Sequence, residues 1–384
     1  MLPCESPVPL QVALVAPTRA ILGGQAIQAE RLLRAWADDP AVRAWLVPIN
    51  PEPPALLRRA LEVKYLRTLT TQLCYWPSLL RELRRADVVH VFSASYASFL
   101  LAPLPAVLTA KLLGRPVVLN YRSGEAPDHL ARSAVARATL TWVEENAVPS
   151  RFLRDVFARY AIDAVVVPNI VDLGRFAFRR REPLRPHVLS TRNFEPLYDV
   201  ATTLRAFRLV QDEYPEATLT LVGGGSEETR LRQLADALAL NHVRFTGRVA
   251  PEEIWRTYAD ADIYLQTPDI DNMPSSVLEA FASGLPVVST NAGGVPAILT
   301  DGVHGLTVPR GDYRGAAARV LRLLGDPALV RNLTAAARES CEQYRWSAVR
   351  EQWLALYRRL ARPAAQQEGS RSASPRQHAS RGVH

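Results

Sequence analysis

Two carboxylates, Asp271 and Glu279, flank Pro274-Ser275-Ser276. Proline needs no N–H donor in a first helical turn, so Pro274 opens a helix and Gly284 stops it. The free N–H groups of Ser275 and Ser276 at that start can point at an anion. Glu279 falls one turn beyond Ser275 on roughly the same face, with its Cβ tilted toward the helix start. A carboxylate there would repel a phosphate, yet it accepts readily from the two hydroxyls of a ribose. Asp271, ahead of the helix, can reach a second polyol. The set suits a nucleotide-sugar. The plainer alternative is that Asp271 or Ser275 caps the helix while Glu279 lies on a solvated face.

Other candidates stand where apolar runs end. Gly223-Gly224-Gly225-Ser226 follows one such run and opens a helix with Glu227 and Glu228 in its first turn; a serine-capped turn would look the same. Gly23-Gly24 lies between a strand and a helix, where bare backbone permits close approach of a phosphate or sugar. Thr246-Gly247-Arg248-Val249 is a further strand end, and Arg192 follows a strand over 187–191 with a guanidinium fork that fits phosphate bidentately.

The elements that must position these groups alternate along the chain. Strands are predicted over 11–16, 44–48, 87–92 and 116–120, with helices over 25–37, 95–113 and 128–140. After a basic, proline-punctuated stretch the series resumes. Strands over 187–191, 218–222, 243–246, 262–266 and 286–289 alternate with helices over 199–214, 226–239, 251–259 and 275–283. Such alternation implies parallel sheets with right-handed crossovers. Two doubly wound α/β lobes facing a cleft are therefore expected. The boundaries read as a first lobe over 1–168, a linker over 169–186, a second lobe over 187–344, a closing helix over 345–361 and a disordered tail over 362–384.

Composition bounds the alternatives. At 384 residues and 48% apolar content, the chain can fill two cores. Cys4, Cys74 and Cys341 are widely spaced and odd in number, which argues for a reducing, cytoplasmic setting and against a disulfide framework. The apolar run from Ser93 to Ala110 is interrupted by Pro103 and Pro105 and reads as a crossover helix rather than a membrane span. The net charge of +8 is almost all arginine, since lysine occurs only at Lys64 and Lys111. With no nucleic-acid-binding motif beside it, that excess points to no nucleic-acid partner. Leucines, Tyr75 and Trp76 interleaved with arginines over 53–85 read as an ordinary helix pair on the first sheet, or as a basic amphipathic surface for an anionic membrane.

Asp271 and Glu279, followed by Ala280-x-x-x-Gly284-x-Pro286-Val287-Val288 and Gly293-Gly294, resemble the sugar-donor signature of family 4 glycosyltransferases, retaining enzymes of the GT-B fold. The resemblance extends through Val148-Pro149-Ser150, Val167-Pro168-Asn169, Val222-Gly223-Gly224-Gly225 and Arg244-Phe245-Thr246-Gly247, covering roughly residues 10–360. It implies pyrophosphate binding by Arg192, nucleobase contacts at Gly247 and Val249, and a sugar-donor role for Gly23, Gly24, Gly223, Gly224, Ser275 and Ser276. It also places Asn120, Arg122 and Glu125 near the acceptor, and the closing helix back on the first lobe. Two departures stand out. The first acid is Asp271 where the family usually has glutamate, and no lysine follows Arg192 within a turn of chain. Arg19 or Arg122 could supply the missing charge.

The expected activity is transfer of a hexose, with retention, from a nucleotide-diphosphate donor, UDP most of all. The acceptor would be a hydroxyl of a glycan, lipid-linked or small molecule, as in cell-envelope polysaccharide synthesis. No cofactor or metal is expected: Asp260-Ala261-Asp262 resembles an Asp-x-Asp metal motif but falls where a strand starts. The alternatives are a catalytically silent sugar-nucleotide-binding protein and a UDP-sugar epimerase on the same fold.

Overall fold

The computed structural model describes residues 8–20, 24–54 and 63–361. Gly23, residues 55–62 of the amphipathic stretch and the tail over 362–384 lie outside the described residues.

Each lobe is built on a six-stranded sheet in which every neighbouring pair is parallel. The first holds β1 (Leu10–Ala16), β2 (Val42–Pro48), β3 (Val88–Ser93), β4 (Val117–Tyr121), β5 (Glu145–Val148) and β6 (Val165–Val166), in the order 2-1-3-4-5-6. The second holds β7 (His187–Ser190), β8 (Thr218–Val222), β9 (Val243–Gly247), β10 (Ile263–Gln266), β11 (Val287–Thr290) and β12 (Leu306–Val308), in the order 12-11-10-7-8-9. Central strands covered by helices on both faces run nearly continuously apolar, and Val12–Ala16 and Val88–Ser93, the latter with His90 and Ser93 among its apolar residues, are buried along their length.

The first lobe's helices are α1 (Gly24–Ala37), α2 (Lys64–Leu83), α3 (Tyr96–Leu101), α4 (Pro103–Leu112), α5 (Ala126–Arg132), α6 (Ala134–Trp142) and α7 (Arg151–Ala158). The second lobe carries α8 (Val200–Glu213), α9 (Glu228–Ala237), α10 (Ile254–Asp260), α11 (Ser275–Ser283), α12 (Tyr313–Gly325) and α13 (Pro327–Ser340), and α14 (Trp346–Ala361) follows.

Two long predicted helices are each split. The helix over 95–113 breaks at Ala102, because Pro103 cannot continue it and starts α4 as an N-terminal proline. The helix over 128–140 breaks at Ser133, whose side chain accepts from the Ala136 N–H and caps α6. β5, β6, β12, α7, α12 and α13 went unread. Strands of two to four residues carry too little periodicity, while α12 and α13 announce themselves by the caps Asp312 and Asp326.

Helix α14 packs on the first lobe. Trp36 meets Trp346 edge-on with ring centroids 4.6 Å apart, and Arg350 forms an ion pair with Asp39. Tyr357 Oη lies 2.7 Å from His90 Nδ1, and burial drives the His90 pKa down to about 3, so the ring is neutral.

The strand orders locate the site. In open parallel sheets ligands bind beyond the carboxyl ends of the strands, where successive crossovers leave in opposite directions. In the first sheet that point lies between β1 and β3, where Gln25 of α1 donates to Ser93 O at 3.1 Å. In the second it lies between β7 and β10, with Arg192 two residues past β7. The two points face each other.

Candidate active site

Arg192 is the hub of the second lobe's half. Its guanidinium bonds Asp271 Oδ2 at 2.6 Å through Nη2 and Ser276 Oγ at 3.1 Å through Nη1, and it stacks 4.1 Å above the Tyr198 ring. Tyr198 occupies the turn where a lysine was expected and holds the arginine flat instead of adding a charge. The side chain is 9% exposed, and its Nε is buried with no partner among the described residues. Burial pushes the Asp271 carboxyl up against the pull of Arg192 and of the Asn272 N–H.

Glycines fix the backbone around this hub. A Cβ on Gly223 would sit 2.1 Å from Arg192 O, and one on Gly225 would sit 2.4 Å from Phe194 O. These two are therefore needed to let the loop after β7 lie against the loop after β8, whereas Gly224 has only side-chain atoms near it. A Cβ on Gly293 would come 2.1 Å from Asp271 O and one on Gly294 1.9 Å from Asn272 O, so the Gly-Gly pair seats the Asp271 loop. Beside the glycine turn is an open cavity of about 530 Å³ lined by Glu195, Gly223, Gly224, Gly225, Ser226, Glu228, Gly247 and Arg248. Gly247 there has φ +71°, a conformation that suits glycine, and Val249 is half-buried against the second lobe's core.

Helix α11 begins with the geometry its sequence implied: Pro274 extended, Ser275 and Ser276 at the start, and Gly284 left-handed at the end. No side chain caps its N-terminus. Glu279 is 8% exposed rather than solvated, and both oxygens are engaged. Arg31 of α1 donates to Oε1 at 2.7 Å and Tyr258 of α10 to Oε2 at 3.1 Å. Gln28, one turn before Arg31, reaches Ser275 Oγ at 3.1 Å, and its Oε1 accepts from the Ile170 N–H. The start of α1, where Gly24 stands with nothing within 4 Å of a built Cβ, thus faces the start of α11 across the cleft.

Three first-lobe calls change. Arg19 is no substitute for the missing cation: Glu30 binds it at 2.5 Å and Glu252 also pairs with it at the exposed rim. Asn120 lies behind the site, 1% exposed, with Nδ2 3.0 Å from His90 Nε2 and Oδ1 accepting from Arg122 at 3.4 Å. Arg122 lies in the cleft but is committed to Asn169 and to the Phe92 ring, 5.5 Å away. Burial lowers its pKa to about 9. Its loop touches the Asp271 loop, since a Cβ on Gly124 would meet Ile270 Cγ2 at 3.0 Å. Glu125, half-buried in that loop, bonds Ser123 Oγ at 3.5 Å.

Arg31, Gln28 and Tyr258 escaped the sequence reading, and Asn169 and Arg248 were quoted within motifs but given no role. The first two sit at helical spacing directly after Gly23-Gly24, which marked that helix start as functional. Arg248 adjoins a flagged glycine. Tyr258 carries no local signal, because its role comes from α10 packing on α11. Asp260 and Asp262 hold no ligand pair: Asp262 is fully buried and binds Arg185 at 2.8 Å.

Two parallel-sheet lobes with paired helix starts across a cleft define a GT-B glycosyltransferase architecture. The family model described as glycosyl transferases group 1 matches residues 176–340, and that of glycosyltransferase family 4 matches residues 22–175. The chain belongs to this family. It is 26% identical over 325 residues to the sulfoquinovosyl transferase SQD2 of Arabidopsis thaliana, a match spanning 76% of this chain and 60% of that protein. It is 27% identical over 286 residues to the phosphatidyl-myo-inositol mannosyltransferase of Mycolicibacterium smegmatis, spanning 71% of this chain and 70% of that one. Among solved structures, Anabaena HepE in complex with UDP and glucose superposes with a TM-score of 0.71 at 16% identity, over 90% of this chain and 99% of HepE.

Proposed function

We propose that the protein transfers a hexose from a UDP-sugar to a hydroxyl acceptor with retention and without a metal ion. The observation that carries this reading is Arg192: a buried guanidinium with an unpartnered Nε, beside the uncapped start of α11. A guanidinium and free helix N–H groups both suit an anion, and together they are the proposed seat of the diphosphate. The leaving diphosphate gains charge as its bond to the sugar C1 breaks, and a preorganised seat stabilises that charge most in the transition state. The acceptor oxygen attacks C1 from the face the diphosphate leaves, and its proton passes to the departing phosphate oxygen. Glu279 is placed for the ribose hydroxyls, which would enter beside Arg31 and Tyr258. Asp271 orients Arg192 through Oδ2, and its Oδ1, which accepts from the Asn272 N–H, has a second lone pair to offer the hexose.

Among the described residues no group of three His, Cys, Asp or Glu side chains could hold a metal ion, and the proposed reaction calls on none. Turnover of a UDP-hexose should accordingly persist in excess EDTA. Loss of activity restored by Mn²⁺ or Mg²⁺ would overturn this part of the reading.

The first lobe suggests where the acceptor comes from. Instead of packing wholly on the sheet, α2 buries Tyr75, Leu79 and Leu83 and exposes Leu66, Leu69, Leu73 and Trp76. Leu73 is 64% exposed. Gln72 of α2 bonds Leu101 O, which brings the exposed Leu100 and Leu101 of α3 alongside. Arg67, Arg81, Arg84 and Arg85 accompany this stripe against the single acid Glu82. Among the described residues no helix is long and apolar enough to cross a membrane. A peripheral face for anionic lipid, presenting a lipid-linked acceptor, fits the pattern. The protein should co-sediment with vesicles containing phosphatidylglycerol, and Leu69→Glu with Leu73→Glu should reduce the bound fraction at least about tenfold, as two charged groups must be buried. Unchanged sedimentation would remove the membrane face.

A further inference from the structure

The larger cavity of the second lobe, about 610 Å³, lies at the opposite end of its sheet from the active site. It opens beside the first residues of β7, β8 and β9, whereas Gly223 follows the carboxyl end of β8 and Gly247 is the last residue of β9. From Thr218 to Val222 is about 13 Å along the strand. Leu219 and Leu221 of β8 point into the core. Thr218 and Thr220 alternate with them on the face that lines the cavity.

The lining is basic and hydroxylic. Arg185, His187, Thr218, Thr220, His242 and Arg244 converge there, with Arg179 at the same wall. Arg185 is neutralised by Asp262, which also lies 3.6 Å from Arg179 and from His187 Nδ1, and Arg179 donates to the carbonyls of Ala259 and Ala261. Behind them Arg181 is 4% exposed and spends its donors on the carbonyls of Arg179, Tyr258, Ala261 and Ser283. Four arginines thus face two carboxylates, Asp262 and the exposed Asp260. Arg244 is exposed, and it has no carboxylate partner among the described salt bridges. A buried arginine without a paired acid, and an exposed one at the mouth that donates at 3.5 Å to Thr220 Oγ1, leave the cavity positive, a field that collects anions. Threonine hydroxyls on a strand face add donors and acceptors suited to a polyol.

We infer that this cavity is a second binding site, distinct from the cleft, for a phosphorylated polyol such as a hexose phosphate. Arg244 and the two histidines meet the phosphate, and Thr218 and Thr220 meet the hydroxyls. The inference does not rest on the sugar-donor reading. Helix α10 runs between the two sites, lining the cavity with Thr257 while Tyr258 holds Glu279.

Calorimetry with glucose 6-phosphate at low ionic strength tests it on the full chain. Saturable binding should survive Arg192→Ala, weaken about ten- to hundredfold in Arg244→Ala, and fall as salt is raised. Arg244 is exposed, so its loss leaves the fold intact, and Thr220→Val provides a second variant that should also weaken the sugar phosphate. Inorganic phosphate should bind more weakly than the sugar phosphate. The inference is overturned if glucose 6-phosphate does not bind, if Arg192→Ala abolishes binding while Arg244→Ala leaves it intact, or if inorganic phosphate binds equally well.

Discussion

Arg192→Ala should lower kcat by roughly 10²–10³-fold while raising KM far less, the scale seen when one preorganised donor to a developing anion is removed. Arg192 of the second lobe reaches Ser276 at the start of α11, with no lysine following it in the chain and Tyr198 stacked beneath. Arg19 is tied up by Glu30 and Glu252, so it cannot take over. The fold should tolerate the change, because burial already pushes the Asp271 carboxyl up and a proton can replace its partner. Arg192→Lys separates charge from geometry. A lysine restores the charge but cannot reach Asp271 and Ser276 in the fixed fork, so it should recover only part of the rate. Steady-state kinetics with a UDP-hexose reads both variants. A near-parent kcat for Arg192→Ala would show that the diphosphate lies elsewhere.

Glu279→Gln should weaken UDP-sugar binding by about ten- to hundredfold, the loss expected when a charged hydrogen-bond acceptor becomes neutral. Two roles could produce that loss. Glu279 binds Arg31 across the cleft, so it holds the lobes together; in the proposed reaction it also accepts from the ribose. A double-mutant cycle with Arg31→Met divides them. If Glu279 served only Arg31, adding Glu279→Gln to Arg31→Met would cost nothing further in calorimetric affinity. A ribose contact requires a second loss on top of the first. Equal affinities for Glu279→Gln and the parent would remove this residue from the site altogether.

Much of the site was legible because it is local in sequence. Pro274, Ser275, Ser276, Glu279 and Gly284 lie on one helix, so spacing alone put the carboxylate and the N–H groups on one face. The glycine turns were legible as turns but not by function. Gly223 and Gly225 exist for backbone packing against Arg192 and Phe194, a reason that becomes visible only when the two loops are adjacent. What spans the lobes could not be read. Nothing in the local sequence around Arg31 says that its partner is Glu279, 248 positions away, or that Asn120 turns inward to His90. The exposed face of α2 was ambiguous for a related reason: its leucines fit core packing and surface display equally, and only the neighbouring α3 and α4 decide which of them are covered.

Nucleotide release tests the central claim most directly. The protein should be incubated with UDP-, GDP- and ADP-hexoses in EDTA, with and without a polyprenyl phosphate-linked glycan as acceptor. A retaining transferase with this site should free UDP faster when the acceptor is present, and the new linkage should keep the anomeric configuration of the donor. Tight binding of every nucleotide-sugar with no nucleotide freed, or conversion of the sugar to its epimer without transfer, would contradict it.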